Sequence, residues 1–332
     1  MKRRVRWGVL GAAKIAVERV IPAMQGGEWS EVVAVASRDL GRARGVAQKL
    51  GVARAYGSYE ELLADPEVEA VYNPLPNHLH VPWSIEAAEA GKHVLCEKPV
   101  AMSADEARKL LGARDRTGVL IQEAFMVRTH PQWLAAREII KSGRIGELRS
   151  FACVFSYFNR DPSNIRNQAS LGGGALMDIG CYPINLSRFV YGAEPRRVLG
   201  HVERDPEWGT DRLVSAVLDF DAGHATFTCS TQLAPYQRVQ IFGTAGRVEV
   251  EVPFNAPNDR PTRVLVAGEG GRAEWREFET CDQYAIQGDH FSRAVRGEVE
   301  QAVPLEDALA NMAVIDAVFR SAETGGWEVP AV

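Results

Sequence analysis

The sequence predicts an α/β protein in two parts, and three observations carry that reading: short β-rich runs alternate with helical runs up to about Glu123, a glycine turn follows the first run, and the second half carries apolar runs joined by tight turns. Repeated βα units with short connections specify a parallel sheet with right-handed crossovers. Residues 1–123 therefore read as a Rossmann-type domain and residues 124–332 as a second domain. Strands are predicted at Val5–Leu10, Val32–Ser37, Val68–Tyr72, His93–Cys96 and Val119–Gln122, with GRARGVAQKL, YEELLAD, SIEAAEA and ADEARKLLGARDR as the helices between them. In the second part a helix over His130–Lys141 leads into a strand around Leu148–Phe158 and then a polar loop. The runs LVSAVLDF, HATFTCSTQL, RVQIFG and RVEVEV follow, and the turns Asp221-Ala222-Gly223 and Thr244-Ala245-Gly246 mark them as antiparallel hairpins. Helices near Gln283–Val295 and Glu306–Glu323 finish the chain, with Gly325-Gly326 as the stop signal.

Composition narrows the partners. The 332 residues exceed one comfortable core, and 46% hydrophobic with 24% charged residues is the balance of a soluble globular chain. A net charge of −5 argues against nucleic acid as the main partner, which would need a basic surface. No run approaches the ~18–20 apolar residues that span a bilayer. The opening MKRRVRWGVLGAAKIAVERV superficially mimics a secretory signal, but Lys14, Glu18 and Arg19 interrupt the apolar stretch. The five cysteines are odd in number, scattered and never in a CxxC pair, which suits reduced thiols in a cytoplasm. His78 and His80 lie one residue apart, yet no cysteine or carboxylate stands near them in sequence, so no metal site is predicted.

The segment Gly11-Ala12-Ala13-Lys14-Ile15-Ala16 fits G-x-G-x-x-G/A with Ala13 in the place of the second glycine. Gly11 makes the sharp turn, and the helix opening over Ala13, Lys14 and Ile15 aims backbone N–H groups and its positive dipole end at a diphosphate. The second strand ends Ala36-Ser37-Arg38-Asp39, with Ser37 where NAD would need an acid. A hydroxyl followed by a guanidinium suits a 2′-phosphate, so NADP is favoured. Asp39, one residue beyond Arg38, keeps NAD open.

Two further segments carry chemistry. GKHVLCEKP, Gly91–Pro99, places Glu97 and Lys98 at the carboxyl end of a parallel strand, where ligands of such sheets sit. In GGGALMDIGCYPIN, Asp178 and Tyr182 are four apart, which stacks them on one helical face. Gly172-Gly173-Gly174 lets the backbone approach a ligand or another segment closely, and Pro183 inside a helix costs on the order of 3 kcal/mol, a penalty more easily tied to function than to stability.

Together the turn GVLGAAKIA, the loop NPLPNHLH (Asn73–His80), EKP (Glu97–Pro99) and GGGALMDIGCY resemble the Gfo/Idh/MocA family of oxidoreductases over nearly the whole chain. Within it, EAFMVRTHPQ and NIRN are similar to the branch of NADP-dependent D-xylose dehydrogenases and dimeric dihydrodiol dehydrogenases. The resemblance implies an N-terminal Rossmann domain and a C-terminal α/β domain on a large, mostly antiparallel open sheet, one face of which builds a homodimer or homotetramer. It implies a catalytic Lys98, cofactor contacts from Glu97, Pro76, Asn77 and His80, and a peptide before Pro99 that can be cis. Inositol-type members carry histidine where this chain has Tyr182. The superfamily also holds a sugar-pathway repressor that keeps fold and cofactor without the chemistry, so a cofactor-sensing regulator is the reading from another class.

Removing a carbinol proton at neutral pH needs a phenol shifted down by ~3 units, or ~4 kcal/mol. A lysine cation at ~4 Å in an effective dielectric of ~20 supplies about that much. Tyr182 is thus assigned the proton, Lys98 its electrostatic activation, and Asp178 the orientation of Lys98 or of a second substrate hydroxyl; the alternative makes Lys98 itself the proton carrier. Arg128, Tyr157 and Arg166 are expected to flank a polyol or sugar substrate. The predicted activity is hydride transfer between a nicotinamide and a sugar alcohol or carbonyl, with a trans-dihydrodiol or dicarbonyl as the alternative substrate.

Overall fold

The computed structural model describes residues 3–268, 270 and 272–331; Met1, Lys2 and Val332, at the ends of the two expected domains, lie outside them. The chain divides into two compact units, residues 1–129 with 282–308 and residues 130–281 with 309–332. This differs from the expected division at residue 123, and the reason is a helix that sequence reading placed correctly but assigned to the wrong body.

The first unit is built on a parallel sheet of six strands in the order β3-β2-β1-β4-β5-β6. The strands are β1 (Val5–Leu10), β2 (Ser30–Ala36), β3 (Arg54–Tyr56), β4 (Ala70–Asn73), β5 (His93–Cys96) and β6 (Ile121–Glu123). β3 was not foreseen: three half-buried residues at a sheet edge leave no apolar run to read. Helices α1 (Ile21–Gln25), α2 (Leu40–Leu50), α3 (Tyr59–Leu63), α4 (His80–Glu89) and α5 (Ala104–Thr117) make the crossovers. Ser58 and Ser103 cap α3 and α5 by accepting the N–H groups of Glu61 and Glu106. Strand order reverses between β1 and β4, so the crevice beyond their carboxyl ends is the switch point at which such sheets bind ligands.

The second unit begins with α6 (Pro131–Lys141) and β7 (Leu148–Phe158), and α7 (Cys181–Tyr191) follows. Its sheet has eight strands in the order β14-β13-β12-β11-β7-β10-β9-β8. These are β8 (Arg197–Arg204), β9 (Asp211–Phe220), β10 (Gly223–Ser230), β11 (Gln232–Gly243), β12 (Arg247–Val250), β13 (Thr262–Ala267) and β14 (Ala273–Phe278). Pairing is antiparallel except for β7 with β10. The mostly antiparallel sheet therefore matches expectation, while β8, β13 and β14 add strands the sequence reading lacked.

Helix α8 (Gln283–Val295) explains the interleaved division. Phe291 enters the first unit's core against Trp7 with ring centroids 5.5 Å apart, and the Trp7 indole donates to Ser292 Oγ at 3.0 Å. Asp289 accepts the backbone N–H groups of Glu28 at 2.7 Å and Trp29 at 2.9 Å. Buried aromatic surface and satisfied turn donors both hold this helix to β1 and β2. Its partners lie some 260 to 285 residues away in the chain, beyond any local signal. Helix α9 (Leu305–Thr324) closes the fold.

Two helices open with a wide π turn, over Ala16–Val20 before α1 and Leu176–Gly180 before α7. Each precedes a proline, Pro22 and Pro183, and in each the next N–H reaches back five residues, from Ile21 to Ala16 O and from Cys181 to Leu176 O. A proline ring clashes with the carbonyl four residues back, and the widened turn relieves that clash. The penalty expected at Pro183 is met by this local geometry.

Candidate active site

At the first unit's carboxyl edge Gly11 has φ +93°, a conformation open to glycine, and an added Cβ would lie 2.9 Å from Leu75 Cδ2. Ala13 and Ile15 pack as half-buried side chains on the core, whereas Lys14 is exposed beside Glu18 at 4.0 Å. The strand-end residues divide the cofactor question. Asp39 caps α2, its carboxylate accepting the N–H of Arg42, while Ser37 Oγ accepts the N–H of Asp39 at 3.3 Å. Arg38 is exposed, and its charge with that of Arg42 opposes the rise that burial imposes on the Tyr59 phenol. The acid that would serve NAD is thus engaged with its own helix.

Beyond β4, the Asn73 amide donates to His80 O and Ser84 Oγ at 3.1 Å each, and its oxygen accepts the N–H of Leu75 at 3.3 Å. Pro76 and Asn77 open the half-buried turn that follows. His80 is 1% exposed, and its ring nitrogens lie 2.7 Å from Pro99 O and 2.7 Å from Leu75 O. Expected to touch cofactor, it is instead sealed inside the protein with both nitrogens facing backbone carbonyls, which also removes it from any metal role.

Beyond β5, Tyr72 donates its phenol proton to Glu97 at 2.6 Å, and the Lys98 N–H donates to the same carboxylate at 3.3 Å. Burial, and then the charge of Glu97, hold the Tyr72 phenol well above its usual range, so it stays a donor. Lys98 is half-buried and its peptide with Pro99 is cis. Arg128 departs from expectation. Its guanidinium pairs with Asp307 at 3.0 Å and donates to Ala302 O at 3.3 Å, which commits it to anchoring the first unit's own chain rather than a substrate.

In the second unit Asp178 is the centre of a polar cluster. Its Oδ2 accepts the Tyr157 phenol at 2.6 Å and the Arg166 Nε–H at 2.8 Å. Burial followed by the Asp178 charge raises the Tyr157 phenol, and Asp178 raises the Arg166 guanidinium, with Tyr157 and Tyr182 adding to it. Tyr182 is 6% exposed and packs on Phe155 and Phe254, with ring centroids at 5.9 and 5.4 Å. Within its unit Asp178 therefore holds Tyr157 and Arg166, a task the sequence reading did not give it.

The three glycines build this cluster from behind. A Cβ on Gly173 would lie 2.5 Å from Arg166 O, and one on Gly174, at φ +124°, would lie 1.9 Å from Asp211 Oδ1. The Gly174 N–H also donates to Arg166 O at 2.9 Å. The close approach anticipated for these glycines is thus to the protein's own chain, and it delivers Arg166 to Asp178. Asp211, 2% exposed, accepts the Leu176 N–H at 2.6 Å and so caps the helix that carries Asp178; burial pushes its carboxyl up to about 6. Tyr72, Phe254 and Asp211 were missed, since nothing in their local sequence marks a tyrosine, a phenylalanine and an aspartate as neighbours of distant site residues.

Such a cluster offers a carboxylate, a guanidinium and two phenols to a hydroxylated ligand. Comparison with known proteins agrees with the fold on both sides. Residues 5–125 match the model of an oxidoreductase family with an NAD-binding Rossmann fold, and residues 133–249 match a GFO/IDH/MocA C-terminal domain. An uncharacterized oxidoreductase of Rhizobium meliloti is 53% identical over 329 residues, 98% of each chain. A D-xylose 1-dehydrogenase (NADP(+)) of Haloferax volcanii is 40% identical over 323 residues, 96% of this chain and 98% of that one. Among solved structures, a 3-ketoreductase from Actinomadura kijaniata in complex with NADP and TDP-benzene superposes with a TM-score of 0.90 at 32% identity, covering 96% of this chain and 98% of the other.

Proposed function

Because the chain belongs to the Gfo/Idh/MocA family of oxidoreductases, we propose that it oxidises the carbinol carbon of an aldose to a lactone with NADP, or runs the reverse reduction. The observation that carries the substrate class is the Tyr157–Arg166–Asp178 cluster beside Tyr182, whose donors and acceptors match the closely spaced hydroxyls of a sugar. The D-xylose dehydrogenase relative supports an aldose.

NADP is favoured over NAD because Asp39 is taken up in capping α2, which leaves Ser37 and the exposed Arg38 to meet a 2′-phosphate. Gly11, Pro76, Asn77 and Glu97 form the rest of the cofactor edge. A nicotinamide held at this edge would supply the hydride acceptor or donor. Tyr182 is the group assigned the hydroxyl proton and Lys98 the positive charge at the cofactor edge, while Asp178 fixes Arg166 and Tyr157 against the substrate's other oxygens.

Purified protein assayed with NADP and with NAD against aldoses, trans-dihydrodiols, dicarbonyls and a TDP-linked 3-ketosugar tests cofactor and substrate together. Turnover of an aldose with a preference for NADP is the expected result. Turnover of the TDP-ketosugar alone would replace the aldose reading with the activity of the structural neighbour from Actinomadura kijaniata.

The second unit's sheet also supports self-association. One of its faces presents Val154, Phe158, Tyr236 and Trp275, which are 38%, 62%, 51% and 47% exposed. A homodimer or homotetramer through this face is the proposed assembly, and sedimentation of Tyr236→Glu against the parent chain tests it. Among the described residues no helix is long and apolar enough to cross a membrane, and the five free cysteines, four of them buried, fit a cytoplasmic setting.

A further inference from the structure

Two loops at the carboxyl edge of the first unit's sheet are joined by one buried ring. His80 Nδ1 lies 2.7 Å from Pro99 O, and Nε2 lies 2.7 Å from Leu75 O. Around it the Asn73 amide donates to His80 O and Ser84 Oγ, and the Glu97 N–H donates to Asn73 O at 3.0 Å. Asn73 and Ser84 are fully buried. The main chain is consequently fixed on both sides of Lys98, by the Glu97 amide before it and the Pro99 carbonyl after it.

From this geometry we infer that His80 is a positioning residue for Lys98: the ring is a spacer of set length between two loops, and it determines where the Lys98 ammonium is presented. A histidine that merely filled the core would need one acceptor. This one meets carbonyls from two different loops, and removing it strips a donor from buried main chain while freeing the Pro99 carbonyl to move. Burial lowers the ring's pKa to about 4 against the upward pull of the two carbonyls, so at neutral pH the ring carries a single N–H, donates it to one carbonyl, packs against the other and adds no second cation beside the lysine. The inference rests on the proposed catalytic role of Lys98.

The test reads Lys98 directly. Reductive methylation with ¹³C-formaldehyde gives each lysine an NMR signal, and the Lys98 signal is the one missing from Lys98→Met. In His80→Ala the Lys98 signal is expected to change its shift and its titration midpoint, while the affinity for NADPH, followed by fluorescence, stays within threefold. In the NADP-linked assay, kcat falls at least tenfold in His80→Ala but falls no further when His80→Ala is added to Lys98→Met. His80→Gln, which keeps one donor, should restore part of the loss and serves if the alanine variant does not fold. An unchanged Lys98 signal, or a tenfold or greater loss of NADPH affinity, overturns the inference. Retained turnover in Lys98→Met would instead sink the catalytic reading of Lys98, while the NMR result would still report on His80.

Discussion

The two units hold their candidate residues in different ways. In the first, Glu97, Lys98 and the Asn73–His80 loop are tied chiefly through main-chain groups at the ends of neighbouring parallel strands. In the second, Asp178 is held by side chains, Tyr157 from β7 and Arg166 from the loop, 21 and 12 residues away. A site made by strand ends follows from counting strands. A site made by converging side chains follows only from the tertiary fold, and it is correspondingly more sensitive to changes in the packing behind it.

The largest expected effect separates the two halves by chemistry. Lys98→Met should lower kcat by on the order of 10³-fold, ~4 kcal/mol, if the ammonium supplies the stabilisation assigned to it. Tyr182→Phe should cost a comparable factor if the phenol carries the proton. Steady-state kinetics of both single variants and the double variant decide the matter: near-normal turnover in Tyr182→Phe with loss in Lys98→Met would hand the proton to the lysine. Asp178→Asn should cost less, about 10²-fold in kcat/KM, with NADPH affinity unchanged, because the groups it loosens, Arg166 and Tyr157, are not among those proposed to hold the cofactor.

Glycine substitutions probe the packing behind each half. Gly174→Ala brings a Cβ to 1.9 Å from the Asp211 carboxylate at φ +124°, where burial and the Leu176 N–H hold that carboxylate in place, and should destabilise the second unit by roughly 3–5 kcal/mol. Gly11→Ala meets the terminal methyl of Leu75 at 2.9 Å at φ +93° and should cost roughly 1–3 kcal/mol, with a loss of NADPH binding out of proportion to its effect on stability. Chemical denaturation and fluorescence titration of the two variants measure both quantities.

How far the sequence could be read follows the same division. The parallel sheet, the Gly11 turn and the edge position of Lys98 were legible because helix and strand periods alternate in short units and each unit's end is marked by glycine or proline. The antiparallel character of the second sheet was legible from its turns. Arg128 was misread because its partner, Asp307, lies 179 residues on. His80 was placed in the right loop but given the wrong neighbour, since sequence spacing cannot tell a ring facing ligand from one facing the Pro99 carbonyl. Asp178 lies in the wide turn before Pro183, and the Tyr157 and Arg166 side chains that engage its carboxylate come from other segments, which sequence spacing does not reach.

Acid should distinguish the two units. His80, His93 and His290 in the first have folded pKa values below the ordinary 6.5, His80 at about 4, because burial disfavours their charged form. Unfolded chain then binds more protons below pH 6.5, so this stability is complete above that pH and is lost as pH falls towards 4. The second unit has His130, also lowered to about 4, but its Asp211 is raised from 3.8 to about 6. A raised carboxyl works the other way: its contribution is complete below pH 3.8 and is lost as pH rises through 6, a swing of roughly 2–3 kcal/mol. Acidification from pH 7 to 4.5 should therefore raise amide exchange more in the first unit than in the second. Asp211→Asn should remove the offset and bring the two closer, and equal acid sensitivity in the parent chain would show that these groups do not set the difference.

The smallest effect concerns the strand end where cofactor choice is made. Asp39 and Arg38 are adjacent, yet the structure gives them separate work. Asp39→Ala removes a helix cap and should cost about 1 kcal/mol of stability, leaving the ratio of NADP to NAD turnover nearly unchanged. Arg38→Ala removes an exposed guanidinium with no cap to lose. It should leave stability within about 0.5 kcal/mol and raise KM for NADP by roughly tenfold, ~1.4 kcal/mol, with KM for NAD unaltered. A drop in NAD turnover on losing Asp39 would mean that this carboxylate leaves its cap to meet a ribose, and the preference for NADP would then need another source than the Ser37–Arg38 pair.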